Sequence, residues 1–212
     1  MNPKLHTDTA LAKALAAIFQ RLEKEIGLDT AVNVYLAGGI AVHLYTGIRV
    51  TTDIDAEFSR RTVIPAKLAT SITFEDGTQS YLYLDGNYNS TLGMMHENYI
   101  HDAIPVDLGT GKFSLHVLSP LDLVVSKISR LADNDKEDIA ALTRAGLISA
   151  DALEKRITEA RDYYVGNPGF LKHNIRDAIE IARKTEVASK GNEPSLVWRR
   201  PISKRSRGGP EL

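Results

Sequence analysis

A chain of 212 residues has room for one large domain or two small ones, and 43% hydrophobic and 25% charged residues are ordinary for a soluble fold. A formal net charge of −1 excludes an all-over electrostatic nucleic-acid binder, and the lack of cysteine excludes disulfides, thiolate catalysis and Cys-zinc sites. The N-terminus has no signal-peptide core and no apolar run approaches the ~20 residues of a membrane span, so the expectation is a cytoplasmic protein without a membrane partner.

Leu11, Leu15, Ile18, Phe19, Leu22 and Ile26 recur at helical spacing and predict a first helix, capped by Asp8 and closed by Gly27. After it comes a strand-like run, Val34-Tyr35-Leu36-Ala37, and then Gly38-Gly39. A short apolar helix pattern stops at Gly47, and a second strand-like run carries Asp53 and Asp55 and reaches Phe58. Glycines between a strand and a helix let the backbone turn sharply and let a ligand come close. The first amides of the helix carry partial positive charge and suit a phosphate. Strand alternation sets Asp53 and Asp55 on one face, where two carboxylates repel unless a hard cation lies between them. Beside phosphates that cation is usually Mg²⁺. A phosphate cradle joined to a metal-binding Asp pair is apparatus for phosphoryl or nucleotidyl transfer. The plainer alternative is a turn glycine pair followed by a solvated edge strand.

At these residues the sequence resembles the DNA-polymerase-beta-like nucleotidyltransferase superfamily, whose signature is Gly-Gly or Gly-Ser at a strand-helix junction followed by Asp-x-Asp on the next strand. The run Arg49-Val-Thr51-Thr-Asp53-Ile-Asp55 looks closest to the AbiEii-type and MenT-type proteins, often toxins of bacterial toxin-antitoxin or phage-defence pairs. The resemblance implies a nucleoside triphosphate, ATP among the candidates, as substrate, and a two-metal Mg²⁺ site on Asp53, Asp55 and a third carboxylate. It implies phosphates held at Gly38 and Gly39, with Arg49 and Thr51 alongside. It also implies an RNA acceptor such as tRNA and a cognate antitoxin.

Further along, Arg60-Arg61 reads as a solvated loop or as a basic pair near phosphates, and Pro65 opens a predicted helix over residues 66–71. From Thr73 to Val117 the pattern is strands, with hairpin signals at Asp76-Gly77 and Asp85-Gly86, a strand near Thr91–Met95, and a turn at Gly109–Gly111. Asp107 falls in the middle of the apolar run from Ala103 to Leu108, where a charge is costly unless paired or metal-bound. Pro105 also permits an edge strand with Asp107 exposed. By the resemblance Asp107 matches the third carboxylate, with Asp102 and Glu97 as competitors. The scattered histidines form no convincing metal site.

Ser119-Pro120-Leu-Asp122 is a helix start, and Leu121, Val124, Val125, Ile128 and Leu131 form its apolar stripe. Lys127 lies at the edge of that stripe. It reads either as a snorkelling lysine or, by the resemblance, as the helix lysine that contacts the triphosphate. Asn134 and Glu137 are spaced as a capping box for a helix from Asp135 to Ala145, and the resemblance places Lys136 and Asp138 near the nucleotide. Two further helices come next, over residues 151–164 and from Pro168 to Val187, with Tyr163, Tyr164 and Phe170 expected in their core. From Gly191 to Leu212 five basic residues and two acids give +3, so the preceding 190 residues carry −1 − 3 = −4.

The expected fold class is α+β. A nucleotidyltransferase-type mixed β-sheet flanked by helices spans residues 1–118, with an α-helical subdomain over 119–188 and a basic tail over 189–212. The expected function is Mg²⁺-dependent transfer of a nucleoside monophosphate from an NTP to an acceptor hydroxyl, with Asp53, Asp55, Asp107 and Lys127 catalytic. A small-molecule nucleotidyltransferase of the antibiotic-modifying kind and a non-catalytic nucleotide-binding or interaction module are the alternatives.

Overall fold

Local signals fix the first helix, α1 (Ala10–Ile26), in a computed structural model that describes residues 3–65, 68–74, 76–86 and 88–191. Its cap is Thr9 rather than Asp8. Thr9 is extended, and its Oγ1 accepts the Ala12 amide at 3.1 Å. Leu11, Leu15, Ile18, Phe19 and Leu22 are buried along one stripe, and Gly27 closes the helix with φ 60°.

Through Phe19 that stripe meets a four-stranded sheet of order β3-β1-β7-β6, built from β1 (Val32–Leu36), β3 (Ala56–Phe58), β6 (Ile104–Val106) and β7 (Phe113–Val117). β1 runs parallel to β7, with Val32 opposite Phe113 and Leu36 opposite Val117. β3 and β6 pair antiparallel at the two edges. Phe19 meets Phe113 edge-on at 5.3 Å, and Phe58 meets Phe113 at 6.0 Å. These rings tie α1 to two strands, each worth about 1.5–3 kcal/mol in burial.

A second, three-stranded sheet has the order β2-β5-β4, from β2 (Asp53–Ile54), β5 (Gln79–Leu84) and β4 (Ala69–Thr73). The strand expected to run unbroken through Asp53 and Asp55 therefore divides at Asp55: the residues before it pair in the three-stranded sheet, and those after it pair in the four-stranded one. The helix expected after Pro65 is replaced over 69–73 by β4, where Thr70, Ile72 and Thr73 pair with β5 and tertiary pairing overrides local preference. Asp85-Gly86 is not a hairpin, because the next strand, β6, belongs to the other sheet. The strand expected near Thr91–Met95 gives way to a single 3₁₀ turn, Ser90–Leu92, in which the Asn89 side chain accepts the Thr91 amide at 3.0 Å.

Between β1 and β2 lies α2 (Gly38–Thr46). The rest is helical: α3 (Pro120–Ile128), α4 (Asp133–Arg144), α5 (Ala150–Ala160) and α6 (Pro168–Gly191). Ser119 caps α3 as its sequence signal requires, and Ser149 caps α5. A buried ion pair joins α3 to α5. Asp122 is fully enclosed and accepts Arg156 Nε and Nη2, both at 2.7 Å, with Ser119 Oγ at 2.6 Å. One continuous set of buried apolar side chains runs from α1 to α6. Tyr163 and Phe170 stand outside it, 51% and 75% exposed; Tyr164 alone of the three aromatics packs against the core. The mixed α+β architecture agrees with the sequence reading. The basic run over 192–212 lies outside the described residues. Among the described residues no helix is long and apolar enough to cross a membrane.

Candidate functional site

Gly38 and Gly39 open α2 directly from the end of β1, with Ala37 offering no side-chain cap. A Cβ on Gly38 would lie 1.6 Å from Asp55 Oδ2, and its φ is 58°. Both facts demand glycine. A Cβ on Gly39 would come 2.9 Å from Thr51 Oγ1. The glycine pair thus makes room for the chain's own carboxylate and hydroxyl at the mouth of the helix. Thr51 is buried and donates its hydroxyl to Asp53 Oδ1 at 2.7 Å, which fixes that carboxylate.

Asp55 sits in a poor place for a charge. Its carboxyl is pushed up to about 6, first by burial and next by the negative charge of Asp53; Lys127 and Arg130 pull it down, and Asp85 pushes it up further. Asp85 arrives from the end of β5, where its amide donates to the Ile54 carbonyl at 3.0 Å, and so three acidic residues gather at this corner. A cavity of about 370 Å³ opens over it, lined in part by Gly38, Asp55, Tyr88, Ser126, Lys127 and Arg130. The Tyr88 phenol is held protonated by burial and by Asp55, Glu57 and Tyr99. Glu57, two residues past Asp55, accepts the Tyr99 hydroxyl at 2.8 Å.

Behind the cavity an alternating line of charges joins three elements. Arg49 Nε donates to Asp138 Oδ1 at 2.9 Å. Lys127 Nζ lies 2.9 Å from Asp138 Oδ2 and donates to Asp135 Oδ1 at 3.2 Å. The first of these lysine contacts has no hydrogen-bond geometry, so Asp138 Oδ2 is compensated by charge alone. Arg130 grips Asp135 with Nε at 2.9 Å and Nη2 at 2.8 Å. Burial works against the Asp135 charge. The Arg130 hydrogen bonds and the Lys127 and Arg130 charges outweigh it and hold the carboxyl below the usual range. The same carboxylate accepts the Ala132 amide at 3.0 Å and so starts α4, two residues ahead of the Asp135 start and without the Asn134-Glu137 box.

His43 holds the other end of this line. Its Nδ1 lies 2.7 Å from the Arg49 carbonyl, which can only accept, so Nδ1 carries the proton. The Thr9 hydroxyl at 2.8 Å then donates to Nε2. Burial lowers the His43 pKa, the Arg49 hydrogen bond opposes that, and His6 lowers it further.

Asp107 is not part of this constellation. β6 ends at Val106, so Asp107 is not in mid-strand. It is exposed, and its Oδ1 accepts the Gly109 amide at 3.1 Å in the turn to β7. The register carries β6 past β7 toward Ser114 and Asn33, the end of β1 away from Gly38. Its competitors are also engaged elsewhere: Asp102 with Arg156 at 2.6 Å, and Glu97 with the Tyr163 hydroxyl. Lys136 pairs with Asp133 on the surface.

Residues 13–182 match the model of a family described as a nucleotidyltransferase of unknown function (DUF6036). The chain belongs to that family. No curated protein and no solved structure matches it significantly. The carboxylates gathered at this corner are Asp53, Asp55 and Asp85. Among the described residues no three His, Asp or Glu side chains already converge as a cage. The donor set nevertheless suits a hard cation, because crowded carboxylates at a corner are what such an ion relieves. In the sequence Asp85 stands out only as part of an Asp-Gly turn signal, and Arg130 has no assigned role; that the turn follows a strand is the signal that could have pointed to a carboxylate at a strand's C-terminal end.

Proposed function

We propose that the protein is a Mg²⁺-dependent nucleotidyltransferase that moves a nucleoside monophosphate from an NTP to an acceptor hydroxyl. The observation that carries the reading is Asp55, its carboxylate set against Gly38 at the open end of α2 and crowded by Asp53 and Asp85. Asp53, Asp55 and Asp85 would hold the metal, which when bound supplies positive charge to the phosphates. The uncapped amides of α2 receive phosphate oxygens. Thr51 keeps Asp53 in one rotamer, so the acidic corner is formed before substrate arrives. The acceptor hydroxyl oxygen bonds to the α-phosphorus, the bond from that phosphorus to the bridging oxygen breaks, and pyrophosphate leaves with the electron pair. Asp85 takes the hydroxyl proton, standing as the third carboxylate where the resemblance had placed Asp107. The likeness to AbiEii-type and MenT-type proteins around Arg49–Asp55 favours an RNA acceptor such as tRNA, and a toxin role with an antitoxin partner.

The test is transfer of label from each α-³²P NTP into total RNA and protein, with Mg²⁺, using wild type and an Asp53→Ala, Asp55→Ala double variant. Label in an RNA band that disappears in the variant is the expected result. Label in protein, or only in added small aminoglycoside-like acceptors, would replace the RNA acceptor. No transfer to any acceptor, with nucleotide still bound, would leave a non-catalytic module.

A further inference from the structure

We propose that Arg130, not Lys127, is the cation that grips the phosphate tail of the nucleotide. This rests on the nucleotide reading above.

Lys127 is the residue a sequence argument selects, but its ammonium is enclosed. It is 6% exposed and lies within 3.2 Å of Asp135 and 2.9 Å of Asp138, two carboxylates that are themselves buried. Its charge is offset in place, and pulling it toward a ligand would leave a buried carboxylate short of a partner.

Arg130 is placed the other way round. Its side chain is 72% exposed and lines the same cavity as Gly38 and Asp55. Asp135 engages Nε and Nη2 on one edge of the guanidinium. Of the five N–H groups an arginine carries, the two on Nη1 and one on Nη2 are not used by that grip. The grip also fixes the plane of the fork, so little side-chain entropy remains to be lost when an anion binds. Hydrogen bonding to Asp135, together with the charges of Asp135, Asp55 and Asp53, keeps the guanidinium charged despite partial burial.

The backbone adds a second, independent constraint. Leu131 has φ 44°, the one positive φ outside glycine among the described residues. That conformation costs a branched side chain on the order of 1–2 kcal/mol. It is stabilised by the Leu131 amide bonding to the Lys127 carbonyl at 2.8 Å and by burial of the Leu131 side chain to 6% exposure. The turn it makes leads from Arg130 into α4, whose first turn sets Asp135 against the guanidinium. The ligand chemistry that fits is a polyphosphate approaching between the α2 amides and a planar, preset guanidinium opposite the acidic corner.

Calorimetric titration of the full chain with the best-bound NTP, and with the matching monophosphate, in Mg²⁺, tests this in wild type, Arg130→Gln and Arg130→Lys. Arg130→Gln is expected to weaken triphosphate binding about tenfold and to leave the monophosphate within about twofold, with Arg130→Lys between the two. Triphosphate binding within twofold of wild type in Arg130→Gln overturns the proposal. So does equal weakening of mono- and triphosphate, which marks a damaged pocket rather than a lost phosphate contact. If Arg130→Gln fails to fold, the same criteria apply to Arg130→Lys, which keeps the charge and loses the fork. Failure of wild type to bind any NTP overturns the nucleotide reading itself.

Discussion

Asp55 is where the chemistry of the site is already visible as a cost to the fold. Its carboxyl, ordinarily near 3.8, is pushed up to about 6, so the folded state holds a proton that the unfolded chain has released. Stability then falls as pH rises from about 4 to about 6, and the loss is constant above that. Asp55→Asn removes the charge and keeps the shape. In urea unfolding without divalent ions, the variant should match wild type near pH 4. At pH 7.5 it should exceed wild type by on the order of 2 kcal/mol, after allowance for partial solvent screening. Mg²⁺ should narrow that gap by stabilising wild type alone. A variant no more stable than wild type at pH 7.5 would mean that the acidic corner is solvated rather than strained. His43 acts with the opposite sign. Its lowered pKa gives stability that is present above pH 6.5 and lost as pH falls through the folded value, so the low-pH arm of the comparison must be read as a difference between variants.

At the scale of elements, the line Arg49–Asp138–Lys127–Asp135–Arg130 holds the loop before β2, the end of α3 and the start of α4 in one arrangement. Buried pairs of this kind contribute little over an apolar core, but breaking one side is expensive. Asp138→Ala leaves Lys127 and Arg49 facing a vacated site and should cost about 3 kcal/mol in urea unfolding. Arg49→Ala, which removes a partly exposed partner, should cost about 1 kcal/mol, and the double variant less than the sum. Additive losses would mean that the two residues do not act as a unit. These elements also mark the limit of what sequence carries. Helix α1, the Ser119-Pro120 start and the Gly38-Gly39 to Asp53-Ile-Asp55 spacing were legible because each is a local signal over fewer than twenty residues. The break at Asp55, the strand at 69–73, the arrival of Asp85 and the burial of Asp135 depend on partners remote in sequence. Asp107 misled for the same reason: an apolar run fixes neither where a strand ends nor which end of the sheet it reaches.

Over the whole molecule the charge is divided unevenly. The first 190 residues carry −4, and the run from Gly191 to Leu212 carries +3. The acidic corner adds to the negative body, so a polyanionic acceptor approaching Asp55 meets repulsion unless cations elsewhere draw it in. If the acceptor is RNA, the source of attraction with the right sign and density is Arg199, Arg200, Lys204, Arg205 and Arg207. Replacing all five by Gln lowers the net charge from −1 to −1 − 5 = −6. Transfer of label to RNA should then fall about tenfold near physiological salt, and its steep decline with added salt should flatten, because phosphate contacts release counterions and Gln makes none. Binding of the NTP should be unchanged, since the cavity is built from residues 38–130. Equal RNA labelling by variant and wild type at every salt concentration would remove the tail from acceptor capture. It would leave the cavity's own rim, where Arg130 is the exposed cation, as the surface that must overcome the charge of the body.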